Sequence, residues 1–339
     1  MVVFNLGGPD SLEGVEPFLR NLFSDPAVLD LPTWLRMPAA RFVARRRAPV
    51  AREIYAQIGG RSPILEETQR QASALQTSLA NRGFEARTFV AMRCAEPFSD
   101  GAARAIRDWG PERIVLLPLY PQFSTTTTSS SVTDWIRAAN EAGLASPTTR
   151  VCCFPEESGF VAALAELTHQ TLTRARQDVD YRLLLSAHGL PKRTIGKGDP
   201  YRWQVERTAA ALVERLGIKG LDWQTCFQSR VGPLKWIEPF TDAEIQRAGA
   251  EGKGVVVVPI AFVSEHSETL VELDMDYARL AGEAGVPDYL RVPSVGTHPK
   301  FIEGLADLVG RAAKSDSIVL CGGAVCPVAY KYCGSRGKG

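Results

Sequence analysis

The segment Arg182-Leu-Leu-Leu-Ser-Ala-His-Gly-Leu-Pro191 decides the fold of this chain. Its run of leucines is typical of a short strand that is buried on both faces, and the Gly and Pro that follow favour a turn. The same plan opens the chain, where the apolar residues Val2 to Leu6 lead into Gly7-Gly-Pro9. This repetition predicts two halves of similar structure.

More buried strands and several helical stretches extend the pattern. The strands are predicted at 113–120 and 255–260, and the helices at 64–81, 160–176 and 201–216. Strands that alternate with helices predict parallel sheets covered on both faces. We therefore expect an α/β protein of two similar doubly wound domains, with four-stranded parallel sheets flanked by helices and a cleft between them. The predicted units are residues 1–150, residues 151–310 and a C-terminal tail of residues 311–339.

The first half is longer than the second. Pro9 and Pro118 are 109 positions apart in the first half. The equivalent Pro191 and Pro259 are 68 apart, so the first half carries about 41 additional residues. We place them at about 25–61, where large apolar residues and arginines are interleaved. This segment suits either a lip that touches the headgroup region of a membrane beside an apolar pocket, or a helical hairpin whose arginines are solvated.

Composition excludes several classes of protein. The formal net charge is +1, from 39 basic and 38 acidic residues, so no overall field attracts nucleic acid. The N-terminus lacks the pattern of a signal peptide, and the longest apolar run, Val255 to Val263, is too short to cross a bilayer. We expect a cytoplasmic protein, peripheral on the inner membrane if the lip reaches lipid.

His188 is the first candidate for chemistry. In an open parallel sheet, ligands bind beyond the C-terminal ends of the strands. Because His188 follows such a strand, its imidazole would enter the cleft, where it can accept a proton or bind a metal. A buried histidine that bonds only to the backbone is the alternative.

A row of acidic residues follows the last strong strand. Glu268, Glu272 and Asp276 are spaced at i, i+4 and i+8. On a helix they would form a ladder along one face, where like charges cost about 0.2–0.5 kcal/mol per pair. A ladder that faces the cleft would relay protons or a divalent cation. A solvated acidic face is the alternative.

The loop of residues 120–131 is rich in hydroxyl groups and opens a predicted helix. Helix capping needs only one or two of these residues, so the excess predicts a polar pocket wall. Anionic groups such as carboxylates bind at a helix N-terminus. The glycine motifs of nucleotide-binding loops do not occur in this segment.

The seven cysteines, an odd number, argue against a secreted disulfide framework. Cys321, Cys326 and Cys333 lie on a glycine-rich segment near the C-terminus. Thiolates select zinc or an iron-sulfur cluster, and Cys152 or Cys153 is a candidate fourth ligand. Unrelated cysteines on a flexible tail are the alternative.

Several ordered motifs resemble those of the ferrochelatase family along almost the whole chain. Any one of them is modest evidence, whereas all of them in the same order are specific. They are Phe4-Asn-Leu-Gly-Gly-Pro9, Ile58-Gly-Gly-Arg-Ser-Pro-Ile64, Tyr120-Pro-Gln-Phe-Ser124, Ser186-Ala-His-Gly-Leu-Pro191, Phe227-Gln-Ser-Arg-Val-Gly-Pro233 and Ala261-Phe-Val-Ser-Glu-His-Ser-Glu-Thr-Leu270.

The resemblance implies a role for each candidate residue. His188 corresponds to the family's pocket histidine, and Glu268 to the glutamate that faces it across the porphyrin, where the substrate iron is inserted. Glu272, Asp276 and His266 continue a path for protons or metal away from that site. Porphyrin contacts are implied for Arg93, Tyr120, Ser124, Leu31, Trp34 and Leu35.

The resemblance also implies a cofactor. Some ferrochelatases hold a [2Fe-2S] cluster with one internal cysteine and three near the C-terminus, and this chain is similar to them. Cys153 matches the internal position better than Cys152 does. The other implied ligands are Cys321, Cys326 and Cys333.

The implied function is the insertion of Fe²⁺ into protoporphyrin IX to form protohaem, the final step of haem biosynthesis. The alternatives are a related chelatase that acts on coproporphyrin with iron or on sirohydrochlorin with cobalt, and a non-catalytic haem- or metal-binding protein. The apolar lip and the cysteines favour protoporphyrin.

One position departs from many members of the family, since Cys94 replaces an aromatic residue directly after Arg93. Monomer and homodimer both stay open.

Overall fold

In the computed structural model, which describes residues 1–232 and 234–336, the chain forms two parallel β-sheets flanked by helices. Leucine and valine runs that are buried on both faces form the inner strands, as parallel sheets require. Pro233, which ends the motif at 227–233, and residues 337–339 of the predicted tail lie outside the described residues.

The strands are, in chain order, β1 (Val2–Asn5), β2 (Phe89–Met92), β3 (Ile114–Pro118), β4 (Thr148–Val151), β5 (Tyr181–His188), β6 (Asp222–Gln228), β7 (Gly254–Pro259), β8 (Tyr289–Arg291) and β9 (Val319–Leu320). The first sheet has the order β2-β1-β3-β4-β9, and the second has the order β6-β5-β7-β8. All of these pairs are parallel. The equivalent order of four strands in each sheet confirms the predicted repeat.

The helices follow the strands as in a doubly wound fold. They are α1 (Val15–Ser24), α2 (Thr33–Ala56), α3 (Ile64–Asn81), α4 (Ser99–Trp109), α5 (Ser130–Glu141), α6 (Ser158–Leu172), α7 (Lys192–Gly196), α8 (Tyr201–Leu216), α9 (Thr241–Ala250), α10 (Tyr277–Glu283) and α11 (Pro299–Lys314). π-Helices occupy Thr125–Ser129 and Glu268–Asp276. Each half therefore places a π-helix after its equivalent strand, β3 or β7.

A continuous apolar core joins the two halves. Its members include Val3 and Leu117 of the first sheet, Leu185 and Val258 of the second, and Phe301 of α11, each at most 1% exposed. Burial of one such side chain contributes about 1.5–3 kcal/mol. The core holds the C-terminal edges of both sheets at fixed positions around the cleft.

The prediction of four strands in each sheet is wrong for the first sheet, because β9 adds a fifth. The N–H of Arg150 donates to the carbonyl oxygen of Ile318, and the N–H of Cys152 donates to that of Leu320, both at 2.8 Å. Without β9, the edge of β4 would present unpaired backbone groups. The segment predicted as a tail thus completes the first sheet.

The additional segment of the first half folds into α2, which packs against α1. Its buried face consists of Ala40, Ala44 and Ala48, whose spacing of four places them on one side of the helix. The large apolar residues point outward, and Trp34 and Phe42 are 74% and 66% exposed. Within the described residues, no helix is both long enough and apolar enough to span a bilayer.

Candidate functional site

His188 and Glu268 meet at the C-terminal edge of the second sheet. His188 is the last residue of β5, and Glu268 is the first residue of the second π-helix. Nδ1 of His188 lies 2.8 Å from Oε2 of Glu268. The side chains are 35% and 33% exposed, so a ligand in the cleft can reach both. The structure brings together the two residues that the sequence analysis paired.

The electrostatics of the pair favour an imidazolium beside a carboxylate. Burial lowers the pKa of His188, but the charge and hydrogen bond of Glu268, together with the charge of Glu272, raise it by more, so the net shift of this pKa is upward. Burial raises the pKa of Glu268, yet His188, His266 and Ser229 stabilise its ionised form and bring this pKa down to about 2. Glu268 is therefore ionised at neutral pH and stabilises a proton that His188 takes up.

Ser229 connects Glu268 to Glu272. Its hydroxyl lies 3.2 Å from Oε2 of Glu268 and also bonds to Oε2 of Glu272, while its backbone N–H donates to Oε1 of Glu272 at 2.9 Å. Ser229 has a φ of +61°, a left-handed conformation that is uncommon for a residue with a side chain and that recurs at functional sites. Ser229 belongs to the motif at 227–233, but the sequence alone predicted no role for it. Its position directly after β6 was the available signal.

Glu272 has the opposite electrostatic character to Glu268. Burial and the neighbouring Glu268 charge raise the pKa of Glu272, so this carboxyl retains a proton more readily. Nε2 of Gln228 and the hydroxyl of Tyr277 hold its two oxygens at 3.1 Å and 3.0 Å. Two neighbouring carboxyl groups whose environments separate their pKa values can play different roles in proton transfer.

His266 and Asp276 lie at the ends of this acidic row. Nε2 of His266 is 3.9 Å from Oε2 of Glu268, and its Nδ1 faces the carbonyl oxygen of Ser264 at 3.1 Å. The side chain of Asp276 is 56% exposed and pairs with Arg279 at 3.9 Å. The predicted ladder is thus a π-helix whose acidic residues lead from the cleft toward the surface.

Arg93 and Tyr120 form a polar wall at the edge of the first sheet. The guanidinium of Arg93 lies 2.9 Å from Oδ2 of Asp25, and its Nε donates to Oγ of Ser130 at 2.7 Å. The hydroxyl of Tyr120 lies 3.3 Å from Oγ of Ser131. Asp25, which the sequence analysis did not single out, is buried and neutralises much of the arginine charge.

Ser124 supports this wall from behind. Its side chain is buried, its Oγ lies 3.0 Å from Oδ2 of Asp199, and it accepts a hydrogen bond from the N–H of Thr126 at the start of the first π-helix. Asp199 also accepts hydrogen bonds at 2.7 Å from the N–H and the hydroxyl of Thr125. The hydroxyl-rich loop is therefore fixed to the second half of the chain.

The lip borders the cleft along α2. Near the beginning of the lip, Asp30 pairs with Lys197 of the second half at 2.8 Å. At the C-terminal end of α2, the hydroxyl of Tyr55 lies 3.4 Å from that of Ser267, directly beside Glu268. The residues singled out in the lip, Leu31, Trp34 and Leu35, are all exposed.

Five cysteines that form no disulfide gather where β4 and β9 end. The sulfur atoms of Cys152, Cys153 and Cys321 all lie within 4.8 Å of one another. The thiol of Cys333 lies beside those of Cys152 and Cys326 and interacts with both. The pairing of β4 with β9 brings these thiols together, and a donor set composed only of sulfur fits a zinc ion or an iron-sulfur cluster.

Cys94 is separate from this group. Its thiol is fully buried in the apolar cluster between α1 and α2, which includes Phe18, Leu19 and Tyr55. Burial raises the pKa of Cys94 to about 12, so the thiol stays protonated. Because this side chain is fully buried, it does not line the cleft.

Several known proteins are similar to this chain along almost its whole length. A family model described as Ferrochelatase matches residues 1–313. The curated Ferrochelatase of Phenylobacterium zucineum (strain HLK1) is 50% identical to this chain over 341 residues, which cover 100% of this chain and 98% of that protein. The curated Ferrochelatase of Caulobacter vibrioides (strain NA1000 / CB15N) is 51% identical over 318 residues, which cover 92% and 90%.

A solved structure has the same fold at much lower identity. The sirohydrochlorin chelatase SirB from Bacillus subtilis subspecies spizizenii, in complex with cobalt, has a TM-score of 0.52 and 14% sequence identity. The match covers 74% of this chain and 91% of that chain. A likeness at this identity shows the architecture alone.

Glu268→Gln should lower the pKa of His188. The substitution removes the negative charge that raises this pKa and leaves burial, which lowers it. The measurement is a histidine NMR titration of the full chain. Glu283→Gln, which removes an exposed carboxylate paired with Arg279, is the control and should leave the pKa of His188 unchanged. An unchanged or higher pKa in the Glu268 variant would contradict the assigned pairing.

Proposed function

Because this chain belongs to the ferrochelatase family, we propose that it inserts Fe²⁺ into protoporphyrin IX at the site formed by His188 and Glu268. Membership of the family makes the protein a metal-chelating enzyme of the lyase class in haem biosynthesis. The observation that carries the assignment of the site is the 2.8 Å pair of His188 and Glu268 at the edge of the cleft.

His188 is suited to remove protons from the ring. Metallation requires a porphyrin to release two pyrrole protons. Nδ1 of His188 faces Glu268, so Nε2 is the ring nitrogen that can meet a pyrrole N–H in the cleft. In the neutral histidine, Nε2 accepts the proton while the ionised Glu268 stabilises the imidazolium that forms.

Glu272 is suited to receive that proton next. The Ser229 hydroxyl contacts both Glu268 and Glu272, and the raised pKa of Glu272 makes it the better proton acceptor of the two. Asp276 then offers an exposed carboxylate at the end of the π-helix. We assign Glu272 and Asp276, with His266 beside Glu268, to the path by which protons or metal travel between cleft and surface.

Iron enters this scheme as the substrate. The ionised Glu268 attracts a divalent cation, and carboxylate and imidazole are both ligands that iron accepts. A flat ring hides its nitrogens, so the pocket must bend it, at a cost on the order of 1–5 kcal/mol that binding of the rest of the ring offsets. Arg93, Tyr120 and the lip are the groups proposed to hold the ring, with Ser124 bracing the wall.

The lip favours protoporphyrin over coproporphyrin. Coproporphyrin carries four propionate groups, whereas protoporphyrin replaces two of them with apolar vinyl groups. Leu31, Trp34 and Leu35 offer exposed apolar surface beside the cleft, which a more apolar ring can bury. Arg93 is already paired with Asp25, so the described wall offers little free positive charge for extra carboxylates.

The test of this function is a metallation assay on the anaerobically purified protein. Fe²⁺ is added with protoporphyrin IX or, in parallel, with coproporphyrin, while porphyrin fluorescence and haem absorbance are followed. We expect faster metallation of protoporphyrin. Loss of the general base in His188→Ala should reduce turnover about 10²–10⁴-fold while porphyrin binding persists.

His169→Ala, at an exposed position on α6, is the matched control and should retain turnover. Faster metallation of coproporphyrin would assign the other substrate. Tight porphyrin binding without turnover of either ring would make the protein a binding protein, and near-normal turnover in His188→Ala would remove the histidine from the mechanism.

The lip is also proposed to contact the membrane surface. Large apolar residues on the outer side of α2 are interleaved with Arg41, Arg45 and Arg46, which are exposed. Apolar side chains that enter the acyl boundary beside arginines that meet anionic headgroups are typical of helices that lie on a membrane. A porphyrin dissolved in the bilayer would then reach the cleft directly.

Trp34→Ser combined with Leu35→Ser should weaken binding to anionic liposomes about tenfold or more, because two exposed apolar side chains are lost. Cosedimentation with vesicles is the measurement. Trp223→Ser, which removes a tryptophan that is 38% exposed on β6, is the control. If the double variant binds vesicles as well as Trp223→Ser does, the result would favour a packed hairpin without a membrane role.

The gathered cysteines are proposed to hold a [2Fe-2S] cluster. Cys153, Cys321, Cys326 and Cys333 are the assigned ligands, and Cys152 is a neighbouring thiol. A cluster bound there would tie β4, β9 and the following segment together and would exchange one electron.

Cys153→Ser and Cys321→Ser should each lose the visible absorbance of the cluster together with bound iron and sulfide. Cys152→Ser should retain most of both. Cys226→Ser, at a buried thiol of β6 outside the group, is the control. If Cys152→Ser loses the cluster and Cys153→Ser retains it, Cys152 is the ligand and Cys153 is the neighbouring thiol. A wild-type protein without iron or sulfide would exclude the cluster.

A further inference from the structure

Gln204 of α8 is directed at two of the gathered thiols. Its Nε2 lies 3.1 Å from Sγ of Cys326 and 3.4 Å from Sγ of Cys153. The glutamine is fully buried. A side-chain amide has two N–H donors on one nitrogen, so it can donate one hydrogen bond to each sulfur.

The orientation of this amide is fixed from the opposite side. Oε1 of Gln204 accepts a hydrogen bond at 2.6 Å from the backbone N–H of Phe123. A backbone N–H can only donate, so the amide atom that faces it must be the oxygen, and the nitrogen must face the sulfurs. Phe123 belongs to the loop of the polar wall, which places Gln204 between that wall and the cysteines.

Hydrogen bonds to ligand sulfurs affect the two oxidation states of a cluster unequally. Reduction adds negative charge that is shared with the sulfurs, and an N–H dipole stabilises the more negative state by more. Such donors in a dry environment act with little competition from water. A donor that reaches two ligands at once is therefore placed to raise the reduction potential.

We propose that Gln204 is a positioning residue that raises the reduction potential of the cluster by donating hydrogen bonds to Cys153 and Cys326. The inference rests on the [2Fe-2S] cluster of the proposed function. It goes beyond that function because it assigns control of the potential to a residue that is not a ligand. It also connects the ligands, through one amide, to the wall of the cleft.

Another buried glutamine provides a matched comparison. Gln71 of α3 is 1% exposed, and its Nε2 donates to the carbonyl oxygens of Val263 at 2.7 Å and Gly296 at 3.0 Å. Both glutamines are therefore held by two hydrogen bonds from Nε2, but the partners of Gln71 are oxygens. A general effect of replacing a buried glutamine will appear in both positions, whereas an effect on the sulfurs will appear only at Gln204.

The experiment is a redox titration of the anaerobically purified full chain, followed by the visible absorbance of the cluster and by the EPR signal of its reduced form. Gln204→Met keeps the length of the side chain and removes the donors. We expect it to lower the midpoint potential so that, at a fixed ambient potential, the ratio of reduced to oxidised cluster falls about tenfold. For a one-electron couple this corresponds to about 59 mV. Gln71→Met should leave the midpoint at the wild-type value.

A cluster with an unchanged midpoint in Gln204→Met, or an equal shift in Gln71→Met, would overturn the role of Gln204 and leave the cluster itself standing. A wild-type protein without a cluster would overturn both. If Gln204→Met does not fold, pulsed EPR of the reduced wild-type protein labelled with ¹⁵N in glutamine side chains decides the matter. A coupling from one side-chain nitrogen supports the hydrogen bonds, and its absence contradicts them.

Discussion

The Glu268 carboxylate is the group on which the arrangement of the cleft depends. A carboxylate that loses much of its water is costly unless donors and positive charge replace it. Here they come from three different connections of the second sheet: His188 at the end of β5, Ser229 after β6 and His266 after β7. One carboxylate thus contacts side chains that follow three different strands. The site keeps its shape because all of these partners stabilise the ionised Glu268.

The two halves share a scaffold and differ in the side chains placed on it. In each half, the third strand in chain order, β3 or β7, leads into a π-helix. This element is rare and is concentrated at functional sites. The first π-helix carries hydroxyl groups, which Asp199 fixes in place. The second carries acids that lead from the cleft outward. The repeat therefore supplies two equivalent positions beside one cleft, of which one became a neutral wall and the other a charged site.

Much of this could be predicted because the signals were local. The leucines of β5 locate His188, and long periodic segments gave α3 and α8 their bounds. The chain reveals less where a contact joins distant residues. Asp25 meets Arg93, and Ser229 meets Glu272, only after folding, so neither partner was visible by spacing. Residue type also leaves orientation open, since Ser124 belongs to the polar loop yet turns inward. With only two residues, β9 is too short to give a strand pattern, although it completes a sheet.

That short strand has a consequence for the order of events during synthesis. Cys152 and Cys153 sit at the end of β4, but their partner Cys321 is brought to them by β9, about half the chain later. A ribosome must therefore translate past residue 321 before these thiols can meet. Until then the edge of β4 is open and the thiols are not gathered. Assembly of the proposed metal centre would thus be post-translational or late co-translational, and a prematurely terminated chain would be unable to acquire it.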